Sequence, residues 1–194
     1  MPDWKPIVGL PFDAAGFDSY CKGISWPDWR PSFIAIHNTA TPNLAQRPNG
    51  FTKQHILNLQ SYYQSMGWRA GPHLFVDDHQ IWVFTPLNTT GRHSPSWNSI
   101  ALGIEMLGDY NTDKFDSGRG LAVRKNAVSA TASLCRRLGI DPQIIRLHKE
   151  DPKTTHDCPG KNVNKKAFIG EVEDKIASYY VGEHNPGAGR PIIS

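Results

Sequence analysis

Ser32-Phe33-Ile34-Ala35-Ile36-His37 alternates around a short apolar run and stops at a histidine, which reads as a buried strand delivering an imidazole to one edge of a sheet. C-terminal to it, Thr52 can cap a helix whose Ile56, Leu59, Tyr63 and Met66 fall at helical spacing, with Gly67 placed to end it. His73–Asp77 and Ile81–Phe84, separated by Asp78-His79-Gln80, read as a hairpin. Ile100–Met106 is a further strand, closed by Gly108. From Ala122 to Leu138, apolar and small residues repeat on one face and Gly139 supplies the stop, which makes this the longest expected helix. Gln143–Leu147 follows the Asp141-Pro142 turn as a brief strand, and Phe168, Val172, Ile176 and Tyr179 mark a last amphipathic helix. Strands mingled with helices at this pitch point to an α/β or α+β sheet covered by helices on at least one face. Residues 1–31 show no sustained period and are expected to form an irregular arm that wraps the domain, because Trp4, Phe12, Phe17, Tyr20, Trp26 and Trp29 are costly to leave together in water. A flexible tail is expected over residues 181–194, which leaves 32–180 as the folded domain.

A chain of 194 residues with 39% hydrophobic and 20% charged residues fits one domain. Its longest apolar runs, Phe33–Ile36 and Ile81–Phe84, are four residues, far short of the roughly 20 a membrane-spanning helix needs. The opening Met1-Pro2-Asp3-Trp4-Lys5-Pro6 lacks the basic and apolar segments of a secretory leader, so synthesis without a signal is expected. Twenty-one Lys+Arg against 18 Asp+Glu, scattered along the chain, give a net charge of +3 and no stripe of the kind nucleic acid requires. Three cysteines, Cys21, Cys135 and Cys158, cannot all pair with one another, so at least one thiol has another fate.

His37 and His148 each follow an expected strand, and Cys158 sits in Thr155-His156-Asp157-Cys158-Pro159-Gly160, where proline and glycine set a turn. Two imidazoles and one thiolate would leave a fourth tetrahedral position on Zn²⁺ open, the arrangement of a catalytic zinc site. Taken singly, each histidine has the alternative of a satisfied core or edge residue, and the cysteine that of an inert thiol.

Three blocks occur in order: Ile34-Ala35-Ile36-His37-Asn38-Thr39-Ala40; Trp97-Asn98 leading to Leu102-Gly103-Ile104-Glu105; and His148 followed by Asp157-Cys158-Pro159-Gly160. Together they resemble the type 2 zinc N-acetylmuramoyl-L-alanine amidases, the superfamily of phage amidase endolysins, cytosolic anhydromuropeptide amidases and animal peptidoglycan recognition proteins. The resemblance runs from about Ser32 to about Phe168. It implies a single α/β domain with a central mixed sheet flanked by helices. It also implies Zn²⁺ held by His37, His148 and Cys158, with Asp157 as a rival ligand one position away. Glu105 becomes the general base for water and His156 the donor to the oxyanion, in a position where many members carry lysine; Lys153 is its alternative. The tyrosine that some phage amidases carry just before the hairpin histidine is replaced by Pro72. In the loop before the Glu105 strand, Trp97 is expected to stack on a sugar, Asn98 to hold a stem-peptide amide and Arg92 to pair with a peptide carboxylate, while His93 stands behind the ligands or touches substrate; each has loop packing or a solvated charge as its plain alternative. The implied activity is hydrolysis of the amide between N-acetylmuramic acid and L-alanine, by a monomeric endolysin-like enzyme that acts on cell-wall peptidoglycan after release from the cytoplasm. Nucleic acid and a stable membrane association are not expected. A recycling amidase for anhydromuropeptides and a non-catalytic recognition module are the alternatives.

Overall fold

The computed structural model describes residues 5–26 and 28–184. Six strands form one mixed sheet: β1 (Leu10–Phe12), β2 (Phe33–Asn38), β3 (Leu74–Val76), β4 (Ile81–Val83), β5 (Ala101–Met106) and β6 (Arg146–Leu147), in the order β1-β4-β3-β5-β2-β6. β2 runs parallel to β5 and β6, and β3 parallel to β5, whereas β4 is antiparallel to both β1 and β3. Four helices accompany them: α1 (Ala14–Lys22), α2 (Lys53–Ser65), α3 (Gly118–Leu138) and α4 (Lys165–His184). No helix among the described residues is long and apolar enough to cross a membrane.

Alternation along the strands decides what each face of the sheet does, because successive side chains point to opposite sides. Ile34 and Ile36 of β2, Leu102, Ile104 and Met106 of β5, Leu74 and Val76 of β3, and Ile81 and Val83 of β4 share one core with Phe17 of α1, Val123, Ala127 and Leu134 of α3, and Phe168 and Val172 of α4. Each fully buried side chain of this size contributes about 1.5–3 kcal/mol. On the opposite face, Phe75, Trp82 and Phe84 pack with Ile56 of α2 and Phe51. Next to them, over β2 and β5, the same face carries Phe33 and Ala35 beside Ala101 and Gly103, and then His37 beside Glu105. The candidate site lies on this third patch.

α2 is capped as expected: the Thr52 hydroxyl accepts from His55 N, and the His55 ring accepts from Thr52 N. α3 ends at Gly139, whose φ of 68° lies in the left-handed region that favours glycine. It begins at Gly118, about a turn before the apolar repeat starts.

Three sequence expectations are corrected. The expected irregular arm is in part regular: over residues 10–22 β1 pairs with β4, and α1, capped by Asp13, buries Phe17 and Cys21. A three-residue strand and a nine-residue helix are too short to display a period, and the strand exists only through its pairing with β4. The expected strand Gln143–Leu147 shrinks to Arg146–Leu147, because Asp141 caps a 3-10 turn over Pro142–Ile144. Finally, α4 continues to His184, beyond the expected start of the tail; the tail's remainder, residues 185–194, and the arm's residues 1–4 and 27 lie outside the described residues.

Candidate metal centre and its cleft

β2 and β6 pair with Ile36 opposite Leu147, so the next residue of each segment, His37 in β2 and His148 at the start of the 3-10 turn after β6, is carried to the same end of the sheet. Their rings approach to 4.4 Å between centroids. Cys158 arrives from the following loop, which is tied down at both ends of the site: Lys149 N donates to Cys158 O at 2.7 Å, and Asn38 N donates to Cys158 Sγ at 3.3 Å. The loop turns away through Gly160, whose φ is 108° and where a Cβ would lie 2.4 Å from the Tyr110 backbone. One potential ligand atom from each of His37, His148 and Cys158 lies within 4.8 Å of the others.

These residues suit a metal ion on two grounds. The donor set is two imidazoles and a thiol, the borderline-soft combination zinc accepts. His148 Nε2 is also buried without a hydrogen-bond partner, a costly state for a polar atom unless something coordinates it. Burial, reinforced by His93 and His148, holds His37 well below the usual histidine range, which keeps it in the neutral form a cation would need. Burial likewise pushes the Cys158 thiol up, and a cation would reverse that by favouring the thiolate. The rival Asp157 is turned outward, 54% exposed, with Lys149 Nζ 3.3 Å from its carboxylate.

Glu105 stands beside His37 in the β2–β5 register, its Oε1 3.8 Å from His37 Nδ1. The carboxylate is only 15% exposed, and desolvation pushes its pKa up to about 8. His93 is buried against the other side of His37, with Nδ1 3.0 Å from His37 Nε2. It therefore stands behind His37.

Two lobes open from this centre. One, about 370 Å³, is lined among others by His37, Asn38, Glu105, Asn111 and Cys158; the other, about 310 Å³, by Arg92, Ser94, Pro95, Asn98, Lys153 and Thr155. Trp68, His93, His148 and His156 border both. His156 is exposed, with its ring 6.3 Å from that of His148, and Lys153 is exposed in the second lobe. Arg92 lies over the Trp68 ring at 4.6 Å.

Two expected substrate residues are placed differently. Trp97 is 4% exposed, edge-on to Phe33 at 5.3 Å and covered by the Arg146 guanidinium, so it closes a small core with Ala35 and Ala101 and has no face free for a sugar. Asn98 reaches the second lobe, but its side-chain oxygen accepts from His93 N at 2.6 Å and Ser94 N at 2.8 Å, which shapes the loop that carries His93. Sequence reasoning passed over Trp68. The available signal was a tryptophan just after a helix stop, claimed by no apolar period. It also passed over Asp151, which accepts from Ser94 Oγ and from Ser96 N while its own N–H donates to His148 O at 2.9 Å, joining the loop of His93 to the turn of His148.

Comparison with known proteins bears on the family and the fold. The sequence profile of the Amidase_2 family, N-acetylmuramoyl-L-alanine amidase, matches residues 27–161. Peptidoglycan-recognition protein SC2 of Drosophila simulans is 29% identical over 135 residues, 68% of this chain and 70% of the relative. Among solved structures, the fold is similar to the endolysin N-acetylmuramoyl-L-alanine amidase LysCS from Clostridium intestinale (TM-score 0.59, 22% identity, 78% of this chain and 92% of that one). It is similar also to wild-type Drosophila PGRP-LB (TM-score 0.58, 19% identity, 78% and 85%). With the profile spanning His37, Glu105, His148 and Cys158 and most of the chain, the chain belongs to the N-acetylmuramoyl-L-alanine amidase family.

Proposed function

We propose that this protein hydrolyses the amide between the lactyl group of N-acetylmuramic acid and L-alanine in bacterial peptidoglycan, with Zn²⁺ held by His37, His148 and Cys158. The observation that carries the proposal is the convergence of those three side chains beside a mostly buried carboxylate, Glu105. When bound, zinc supplies Lewis acidity, polarising the scissile carbonyl and acidifying water.

The chain's own residues do the rest. Glu105 is held in a desolvated position beside His37, where burial raises its affinity for a proton, which suits it to take one from water and return it to the departing amine. An unactivated amide needs both transfers, because the amine is a poor leaving group until protonated. His156, exposed at the junction of the lobes, donates to the developing oxyanion, with Lys153 as a second donor in the same wall; one such donor contributes about 2.7–4 kcal/mol to the transition state. Arg92, held over a Trp68 ring that is itself stacked on Tyr63 at 4.9 Å, offers a cation beside the second lobe, suited to a peptide carboxylate.

The reading places the enzyme's work at the cell wall, as a single chain of the endolysin type. Purified sacculi incubated with the protein should release new L-alanine amino groups, and a zinc chelator should stop the release. Cys158→Ser and His148→Ala should lose both zinc and activity. Absence of chelator-sensitive release refutes the proposal. A second reading, peptidoglycan recognition without hydrolysis, is favoured by the name of the Drosophila relative; tight muropeptide binding with no metal and no turnover would establish it. Faster turnover of soluble anhydromuropeptides than of intact sacculi would identify a recycling enzyme instead.

A further inference from the structure

We infer that His93 is a positioning residue for the metal centre: it fixes the protonation pattern and rotation of His37, so that Nδ1 is the ring nitrogen left free for a cation. The inference rests on the metal-dependent reading of the site. Its starting point is the Ala101 carbonyl, which can only accept; His93 Nε2, 3.0 Å away, therefore carries a hydrogen. A neutral imidazole with hydrogen on Nε2 has a bare Nδ1, and that atom lies 3.0 Å from His37 Nε2, which must then be the donor. His37 is left with its lone pair on Nδ1, the nitrogen 3.8 Å from Glu105. Both residues are buried, and the two His93 nitrogens face a carbonyl and another ring with no carboxylate bonded to either, so a second hydrogen on this ring would leave an unpaired buried charge and each ring carries one.

The surroundings leave the His93 ring no other place. It crosses the His37 ring at 85°, with centroids 5.1 Å apart. It lies over Gly103 of β5, where a Cβ would come within 2.3 Å of His93 Cγ, so the absence of a side chain at 103 is what admits the imidazole. Its backbone N–H is held by Asn98. Behind it stands His73, itself held at both nitrogens by Gly103 N and Thr89 O and stacked by Trp29 at 5.7 Å. Metal-ligating histidines usually donate their second nitrogen to a carboxylate or carbonyl. Here the acceptor is a neutral ring, which orients the ligand without adding negative charge to it.

The test uses the metal-free and the zinc-loaded full chain. In the metal-free protein labelled with nitrogen-15, the hydrogen bond should give a scalar coupling between His37 Nε2 and His93 Nδ1 and a slowly exchanging proton on His37 Nε2. Zinc affinity, read by competition with a chromophoric chelator, should fall about 10- to 100-fold in His93→Leu, the cost typical of losing a ligand's outer partner. His93→Asn, whose side-chain oxygen stands near the place of Nδ1, should restore most of that loss. Gly103→Ala, which displaces the ring without changing its chemistry, should weaken zinc binding as His93→Leu does. Melting of the metal-free variants reports any general loss of fold, which Asn and Leu would share, whereas rescue of zinc affinity by Asn alone marks positioning. No coupling in the wild type, or wild-type zinc affinity in His93→Leu, overturns the inference. A wild type that binds zinc and shows the coupling yet does not cut sacculi overturns the proposed function alone; a wild type that binds no zinc overturns both.

Discussion

Replacing Asp151 with alanine should destabilise the metal-free protein by about 3 kcal/mol, and the figure follows from its hydrogen bonds. The carboxylate is 2% exposed and accepts from Ser94 Oγ, from Ser96 N at 3.0 Å and from Lys153 N at 2.9 Å. Hydrogen bonds to a charged group contribute about 1.5–3 kcal/mol each. Ser96 and Lys153 border solvent, and water can satisfy their N–H groups in the variant, so most of the loss comes from the buried Ser94 hydroxyl. For a chain of this length about 3 kcal/mol corresponds to a fall in Tm of about 6–12 °C, measurable by calorimetry in the presence of chelator. Ser94→Ala should reproduce a large part of the effect, and the double variant should cost less than the two single losses together, because both remove one interaction. Zinc affinity should fall as well, since Asp151 ties the turn of His148 to the loop of His93. A Tm within about 2 °C of wild type, or strict additivity with Ser94→Ala, would refute the view that this carboxylate joins the two halves of the site.

Glu105→Gln should retain zinc and lose turnover by about 10²- to 10⁴-fold; an active variant removes Glu105 from the proton transfers. Acid should destabilise the metal-free protein through His73. Burial, with His93 and Lys5 adding to it, pushes its pKa down to about 3, while the unfolded chain titrates near about 6.5. The unfolded state therefore binds the proton first as pH falls, and stability is lost from about pH 6.5 downward at about 1.4 kcal/mol per pH unit. His73→Gln should have a shallower dependence of Tm on pH between 7 and about 5 than wild type, and an unchanged slope would exclude His73 as a source. Trp97→Ala should cost about 3–5 kcal/mol as a core truncation, whereas Trp68→Ala, which removes a half-buried ring stacked on Tyr63, should lower Tm less and raise KM for sacculi by releasing Arg92. The reverse pattern would restore Trp97 as the substrate-facing tryptophan.

Local signals made much of this fold legible, and the exceptions have a common physical origin. β2, β5 and the β3–β4 hairpin announce themselves through short apolar runs, and α2 and α3 through caps and glycine stops. β1 and β6, in contrast, are edge strands of three and two residues whose existence depends on partners far along the chain. The same non-locality separates the legible from the illegible in the site. That His37 ends a strand was readable; that it meets His148 depends on the parallel pairing of β2 with β6, and on a Cys158 loop held by Lys149 and Asn38. Trp97 was misplaced for a related reason, since nothing in Ser94-Pro95-Ser96-Trp97-Asn98 says that Phe33 and Arg146 will cover the indole. The least conspicuous signal is a set of small residues. Ala35, Ala101 and Gly103 occupy adjacent positions on the face where larger side chains would fill the space, and Gly103 in particular admits the His93 ring. Along β2 and β5, then, the site is marked as much by where side chains are missing as by His37 and Glu105 themselves. A glycine in the middle of an apolar strand, which on propensity alone only weakens it, is here what allows a second imidazole to stand against the first.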